Sequence, residues 1–214
     1  MTRNLILSGG IYHPFAETSI AIAAHLQSLG ITSEVATVVQ GLERLGMETF
    51  DLVTVNALAF SMTQADKYAP LRAEFAFEIE PKGKVALQHH VSAGRGLLGL
   101  HTAPICFDTW PAWGDLLGAQ WVWGQSGHPM PDYLEVVHGK KTFCIWDELY
   151  GGLRLHADTE IVATARLVSG GPTNPILTTK HNTAYLALGH DLTSVSSPDY
   201  IEMLHEAAQL TLAP

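Results

Sequence analysis

Gly94-Arg95-Gly96-Leu97-Leu98-Gly99-Leu100-His101 reads as a buried strand running directly into a turn. Leu97, Leu98 and Leu100 leave no position for a solvated face, so the strand from Leu97 to His101 belongs in the middle of a sheet covered on both sides. Glycines at 94, 96 and 99 let neighbouring backbone come close. In an open parallel sheet, the residue that ends a central strand faces the ligand crevice. His101 therefore stands where an α/β enzyme presents a base or nucleophile. From position alone it serves equally well as a strand-end histidine that only hydrogen-bonds a loop.

The surrounding sequence fits that sheet. Asn4 to Leu7 is an apolar run closed by Ser8-Gly9-Gly10, and Ala16 to Leu29 follows with helical spacing, a β-loop-α opening. Glu34 to Val39 and Asp51 to Val55 read as further strands, with Gly41 to Gly46 as a short connection. Lys67 to Phe77 and Lys84 to Ser92 read as helices. Asp108 to Gly118 reads as a loop and short helix with Asp108 or Thr109 as its N-cap. Strand candidates then follow closely at Tyr133 to Val137, Glu160 to Ala165, Ile176 to Thr179 and Ala184 to Leu188, a spacing that predicts antiparallel pairs. Pro198 to Leu210 closes the chain as an amphipathic helix. The expectation is one α/β domain over residues 1–214, its sheet largely parallel with antiparallel additions in the C-terminal half.

Composition narrows the function. Hydrophobic residues make up 47% and charged residues 15% of the 214, which predicts a compact globule. A net charge of -9 without any concentration of Lys and Arg argues against nucleic acid as a partner. No run approaches the roughly 20 apolar residues needed to span a bilayer, and the start lacks the apolar core of a signal peptide. A cytoplasmic protein without a membrane partner is the expectation. Cys106 and Cys144 have no spacing suggestive of a disulfide framework or zinc site, and both are expected to be buried thiols.

Chemistry is sought among the 11 histidines and the acids near them. His13, beyond Gly9-Gly10, lies on the same sheet edge as His101 if the strands are parallel. The glycine pair lacks GxGxxG spacing, so no nicotinamide or flavin is expected. Asp147-Glu148 emerges from the apolar run Phe143-Cys144-Ile145-Trp146 with Tyr150 just beyond; such a pair serves as acid and base, as hard metal ligands, or as a solvated turn. Leu188-Gly189-His190-Asp191 repeats the layout of a histidine at a strand end. His128 and His181 are weaker loop candidates, and His25, His156 and His205 read as helix or surface residues. Of Trp110, Trp113, Trp121 and Trp123, most belong to the core and at most one is expected against substrate. Trp110 is taken as that one, with Gly10, Asp147 and Tyr150 as the other substrate-binding residues.

Taken together, Ser8-Gly9-Gly10 with His13, the Gly94–His101 stretch, Asp147-Glu148-Leu149-Tyr150 and Leu188-Gly189-His190-Asp191 resemble the ThuA-like, or trehalose-utilisation, family. The resemblance implies the flavodoxin-like three-layer sandwich of the class I glutamine amidotransferases. It also implies a site built from His13, His101, Glu148 and His190 and a link to disaccharide or oxidised-sugar metabolism. The family often has His-Pro where this chain has His138-Gly139, so His138 is left out. Glutamine amidotransfer is not expected, because histidine occupies the elbow and Cys106 lies five residues later, beyond Pro104. The leading expectation is a sugar isomerase or hydrolase in which His101 or Glu148 takes a proton while His190 and His13 polarise an oxygen. A divalent ion (zinc, manganese or iron) on the same four residues is a variant, and a non-catalytic sugar-binding or regulatory protein is the alternative. A small-molecule sugar and a second copy in a homodimer are the expected partners.

Overall fold

The computed structural model describes residues 1–212, so the last two residues of the expected 1–214 domain lie outside the described residues. In chain order the elements are β1 (Thr2–Gly9), α1 (Phe15–Gln27), β2 (Ile31–Thr37), α2 (Val38–Leu45), β3 (Leu52–Ala57), α3 (Arg72–Phe75), α4 (Pro81–Ser92) and β4 (Gly96–Leu100). The second half comprises α5 (Ala112–Leu117), β5 (Ala119–Gln120), β6 (Asp132–His138), β7 (Lys141–Asp147), β8 (Arg154–Leu155), β9 (Glu160–Leu167), β10 (Asn174–Lys180), β11 (Thr183–Leu186), α6 (Leu192–Val195) and α7 (Pro198–Leu212). Nine strands form one sheet in the order β2-β1-β3-β4-β11-β10-β9-β6-β7. The first five pair in parallel and the rest antiparallel. Helices α1, α6 and α7 pack on one face and α2, α4 and α5 on the other, giving the three layers of a flavodoxin-like sandwich.

β4 occupies the sheet centre because all five of its residues are buried and its glycines admit large neighbours. At Gly99 an added Cβ would meet Leu117 Cδ1 at 2.5 Å, and at Gly96 it would meet Thr211 Oγ1 at 2.9 Å. The C-terminal ends of β1, β3, β4 and β11 share one edge of the sheet, which fixes where loop residues converge. β7 runs in the same direction as β11, with β10, β9 and β6 between them. Flat strands would hold the two roughly 19 Å apart at the usual spacing. The backbone N–H of Gly189, just past β11, nevertheless donates to Asp147 Oδ2 at 2.7 Å. The antiparallel half must therefore curl, returning the end of β7 to the end of β11.

Several local expectations are corrected. Residues 38–45 form a helix instead of a strand tail and connection: Thr37 Oγ1 caps it by accepting from Gln40 N, and Val38, Gly41, Leu42 and Leu45 bury one face. Gly41 marks a close approach, since a Cβ there would lie 2.2 Å from Leu7 Cδ2. The helix expected from Lys67 to Phe77 reduces to a 3-10 turn at Asp66–Tyr68 and the short α3, because Pro70 has no N–H to continue it. Asp108 does not cap α5; its carboxylate accepts from Ser61 N at 2.7 Å and Ser61 Oγ at 2.6 Å. Cys144 is exposed, because it alternates with inward-facing Ile145 on the edge strand β7.

Candidate metal centre

His101 follows β4 in a left-handed backbone conformation, φ 43°, which costs a non-glycine residue on the order of 1–3 kcal/mol. The surroundings hold it there. Its N–H donates to Leu186 O at 2.8 Å, its carbonyl accepts from Tyr185 Oη at 2.9 Å, and Thr102 Oγ1 donates to Ala57 O at 2.6 Å. Behind the elbow, Trp113 Nε1 donates to Ala103 O at 2.9 Å. His13 reaches the same point from the loop after β1, where Gly10 packs so tightly on Leu58 that a Cβ would stand 2.6 Å from its carbonyl oxygen. His190 arrives from the loop after β11, and Glu148 from the end of β7.

One nitrogen from each of the three histidines and one Glu148 oxygen lie within 4.8 Å of one another. His101 Nε2 is 3.2 Å from His13 Nε2 and 3.3 Å from Glu148 Oε2; His190 Nδ1 is 3.5 Å from the same oxygen, and His13 Nε2 is 3.9 Å from it. Backbone carbonyls set the tautomers. His101 Nδ1 donates to Ala187 O at 2.8 Å, and His13 Nδ1 donates to Ile11 O at 3.3 Å, so in the neutral rings both Nε2 atoms carry lone pairs and face each other. Glu148 Oε2 and His190 Nδ1 are buried without a hydrogen-bond partner. Converging lone pairs beside an orphaned carboxylate oxygen form a set of donors that could hold a shared cation. Imidazole and carboxylate together suit zinc, manganese or iron(II), and Nδ1–H bonds to backbone carbonyls are what orient metal-ligating histidines.

The electrostatics are coherent. Burial pushes the Glu148 carboxyl up, but His101, His128, His13 and His190 together hold it well below the usual carboxylate range. Burial lowers His13, whereas the contact with Glu148 raises His190 and His128. Burial also pushes the Cys106 thiol up to about 12; its Sγ donates to Ala57 O at 3.0 Å, behind the elbow. The residue at the elbow itself is His101.

The four expected residues meet, while the substrate-binding expectations fare unevenly. Asp147 is fully buried and accepts from Gly189 N, His190 N, Glu148 N and Ser194 Oγ, so it braces the site and is closed to substrate. Trp110 is corrected too: it is 8% exposed, packed on Trp113 within the core. Tyr150 is buried with its ring 4.6 Å from that of His101, lining the centre from the core side. Gly10 shapes the loop that delivers His13. His128, ranked only as a weaker loop candidate, joins the site: its Nδ1 lies 3.2 Å from Glu148 Oε1 and its ring stacks on Tyr150 at 5.0 Å. Trp121, edge-on to Tyr150 at 5.4 Å, supplies the aromatic wall that Trp110 does not.

A doubly wound sheet with a strained elbow at the end of its central strand defines a flavodoxin-like α/β protein, here with histidine at the elbow. More narrowly, the ThuA family, described as trehalose utilisation, matches residues 5–211, and the chain belongs to that family. A ThuA-like protein from Parabacteroides merdae is 14% identical, covering 99% of this chain and 90% of its own, with a TM-score of 0.76. A ThuA-like protein from Bacteroides uniformis is 15% identical, covering 98% and 91%, with a TM-score of 0.65. These likenesses are of fold. No curated protein matches the chain by sequence.

Proposed function

We propose that this chain is a metal-dependent enzyme of carbohydrate metabolism that acts on a disaccharide or keto-sugar with isomerase- or hydrolase-type chemistry. One observation carries the metal: the facing Nε2 atoms of His13 and His101, 3.2 Å apart beside the orphaned Glu148 Oε2. The family's description as trehalose utilisation supports a sugar as substrate. His13 Nε2, His101 Nε2, His190 Nδ1 and Glu148 Oε2 would hold a divalent ion, which acts as a Lewis acid on a substrate or water oxygen. The residues prepare that chemistry. The Ala187 and Ile11 carbonyls keep the protons of His101 and His13 on Nδ1, away from the centre. Buried Tyr150 shuts out water from the core side, leaving the approach to substrate past His190 and His128, whose side chains are 20% and 37% exposed.

We read the protein as cytoplasmic, and no helix among the described residues is long and apolar enough to cross a membrane. We also read it as a homodimer. The exposed cross-strand pair Tyr133 and Trp146, rings 5.3 Å apart beside the edge of β7, favours that state.

The test is turnover of mono- and disaccharides and their keto forms by protein purified without a histidine tag, before and after chelation. The expected result is product formation that chelation abolishes and a divalent ion restores. Turnover indifferent to chelation would overturn the metal, and sugar binding without turnover would favour a binding protein over an enzyme.

A further inference from the structure

The two oxygens of Glu148 live in different surroundings. Oε2 faces the three histidines, whereas Oε1 is met by His128 Nδ1 at 3.2 Å. That nitrogen carries its proton, because it donates to Pro129 O at 3.0 Å, and Glu148 Oε1 stands beside it as an ion-pair contact. The His128 ring lies over Tyr150, 5.0 Å between centroids with planes inclined by 25°, and Trp121 closes a three-ring cluster at 6.3 Å from His128 and 5.4 Å from Tyr150.

The loop between β5 and β6 that brings His128 is sewn to the turn immediately after Glu148. Gly127 and Gly151 exchange backbone hydrogen bonds of 3.1 and 2.8 Å. Ser126 Oγ and Gln125 Nε2 both donate to Gly152 O, at 2.8 and 2.9 Å. Gly152, at φ 69°, lies where a Cβ would come 2.9 Å from Gln125 O, so the two segments fit only with glycine there. The loop is therefore docked on the backbone that carries Glu148, and His128 is its one side chain reaching the carboxylate.

We propose that His128 is a positioning residue: it holds Glu148 by Oε1 so that Oε2 alone turns to His13, His101 and His190, and it thereby couples docking of the 121–131 loop to occupation of the centre. The inference rests on the metal reading above. A carboxylate free to rotate would offer either oxygen, and its orientation would have to be fixed each time an ion binds. Removing a group that orients a metal ligand typically lowers metal affinity about 10- to 100-fold.

Two substitutions separate the hydrogen-bonding role from mere packing. His128→Asn keeps a side-chain N–H close to the position of Nδ1 and gives up the ring. His128→Phe keeps the ring on Tyr150 and gives up the N–H. Zn²⁺ is titrated calorimetrically into the metal-free wild type and both variants, with amide exchange of residues 121–131 followed before and after addition. The expected result is Zn²⁺ binding by the wild type, retained within a few-fold by His128→Asn, and weakened about 10- to 100-fold in His128→Phe. Zn²⁺ should also protect the loop in the wild type far more than in His128→Phe. Equal affinity in the wild type and His128→Phe, or equal losses in the two variants, would overturn the role of His128. Absence of Zn²⁺ binding by the wild type would instead remove the centre itself, and the inference with it.

Discussion

Asp147 and Glu148 share a buried strand end, yet Asp147 is ringed by donors and Glu148 by imidazole nitrogens. The Asp147 carboxylate accepts from three backbone N–H groups and a hydroxyl, which ties the end of β7 to the loop after β11. Glu148 has one oxygen against His128 and one without any hydrogen bond. A satisfied buried carboxylate braces the fold; an unsatisfied one among imidazole nitrogens is the group that the proposed metal would engage. The floor around Asp147 and the cluster around Glu148 should therefore respond differently to the same kind of substitution.

The largest effect is expected at the floor. Asp147→Ala strands several buried donors at once and should cost about 3–5 kcal/mol in denaturant unfolding. Glu148→Gln should cost nearer 1 kcal/mol while abolishing metal binding. Equal costs for the two would erase the distinction. Next comes Gly10→Ala, where a φ of 130° and the 2.6 Å approach to the Leu58 carbonyl predict a loss of about 1–3 kcal/mol. Because that loop delivers His13, weaker Zn²⁺ binding should accompany the lower melting temperature.

Acidity separates the two regions more finely. In the metal-free protein the Glu148 contact raises His128 and His190, whereas burial lowers His13 and His90. The raised pair contributes stability that is complete below about pH 6.5 and is lost as pH rises through their folded values. The lowered pair contributes stability present above about 6.5 and lost as pH falls. Metal-free stability should thus peak near pH 6.5, and Glu148→Gln should flatten the alkaline side of the peak. Zn²⁺ affinity should climb over the same alkaline range, since ligating histidines must lose their protons. The smallest effect is expected at Cys106, whose buried thiol lies behind the elbow: Cys106→Ala should change turnover less than about twofold. In the native chain, alkylation should label exposed Cys144 and spare Cys106.

Much of this arrangement was legible in the sequence because it rests on local chain chemistry. The glycine and leucine pattern from 94 to 100 fixes a central strand, and a central strand fixes where His101 sits. Gly41 misled for a physical reason: a glycine needed for contact with Leu7 looks the same in sequence as one that breaks a helix. Asp147 could have been read more closely, since strand alternation puts it in line with Phe143 and Ile145, facing the core. His128 could not. Its meeting with Glu148 depends on the curl of the antiparallel half and on the pairing of Gly127 with Gly151, contacts between distant segments that no local pattern encodes. The tryptophans divide in the same way: Trp110 follows the common rule of core packing, and only tertiary placement brings Trp121 beside Tyr150.

The central claim is that His13, His101, His190 and Glu148 form a metal centre, and anomalous diffraction tests it most directly. Crystals of protein purified without a histidine tag, soaked briefly in Zn²⁺ and measured on both sides of the zinc edge, should show one strong peak bounded by His13 Nε2, His101 Nε2, His190 Nδ1 and Glu148 Oε2. Full-occupancy zinc elsewhere on the chain, with no anomalous peak among these four atoms, would contradict it.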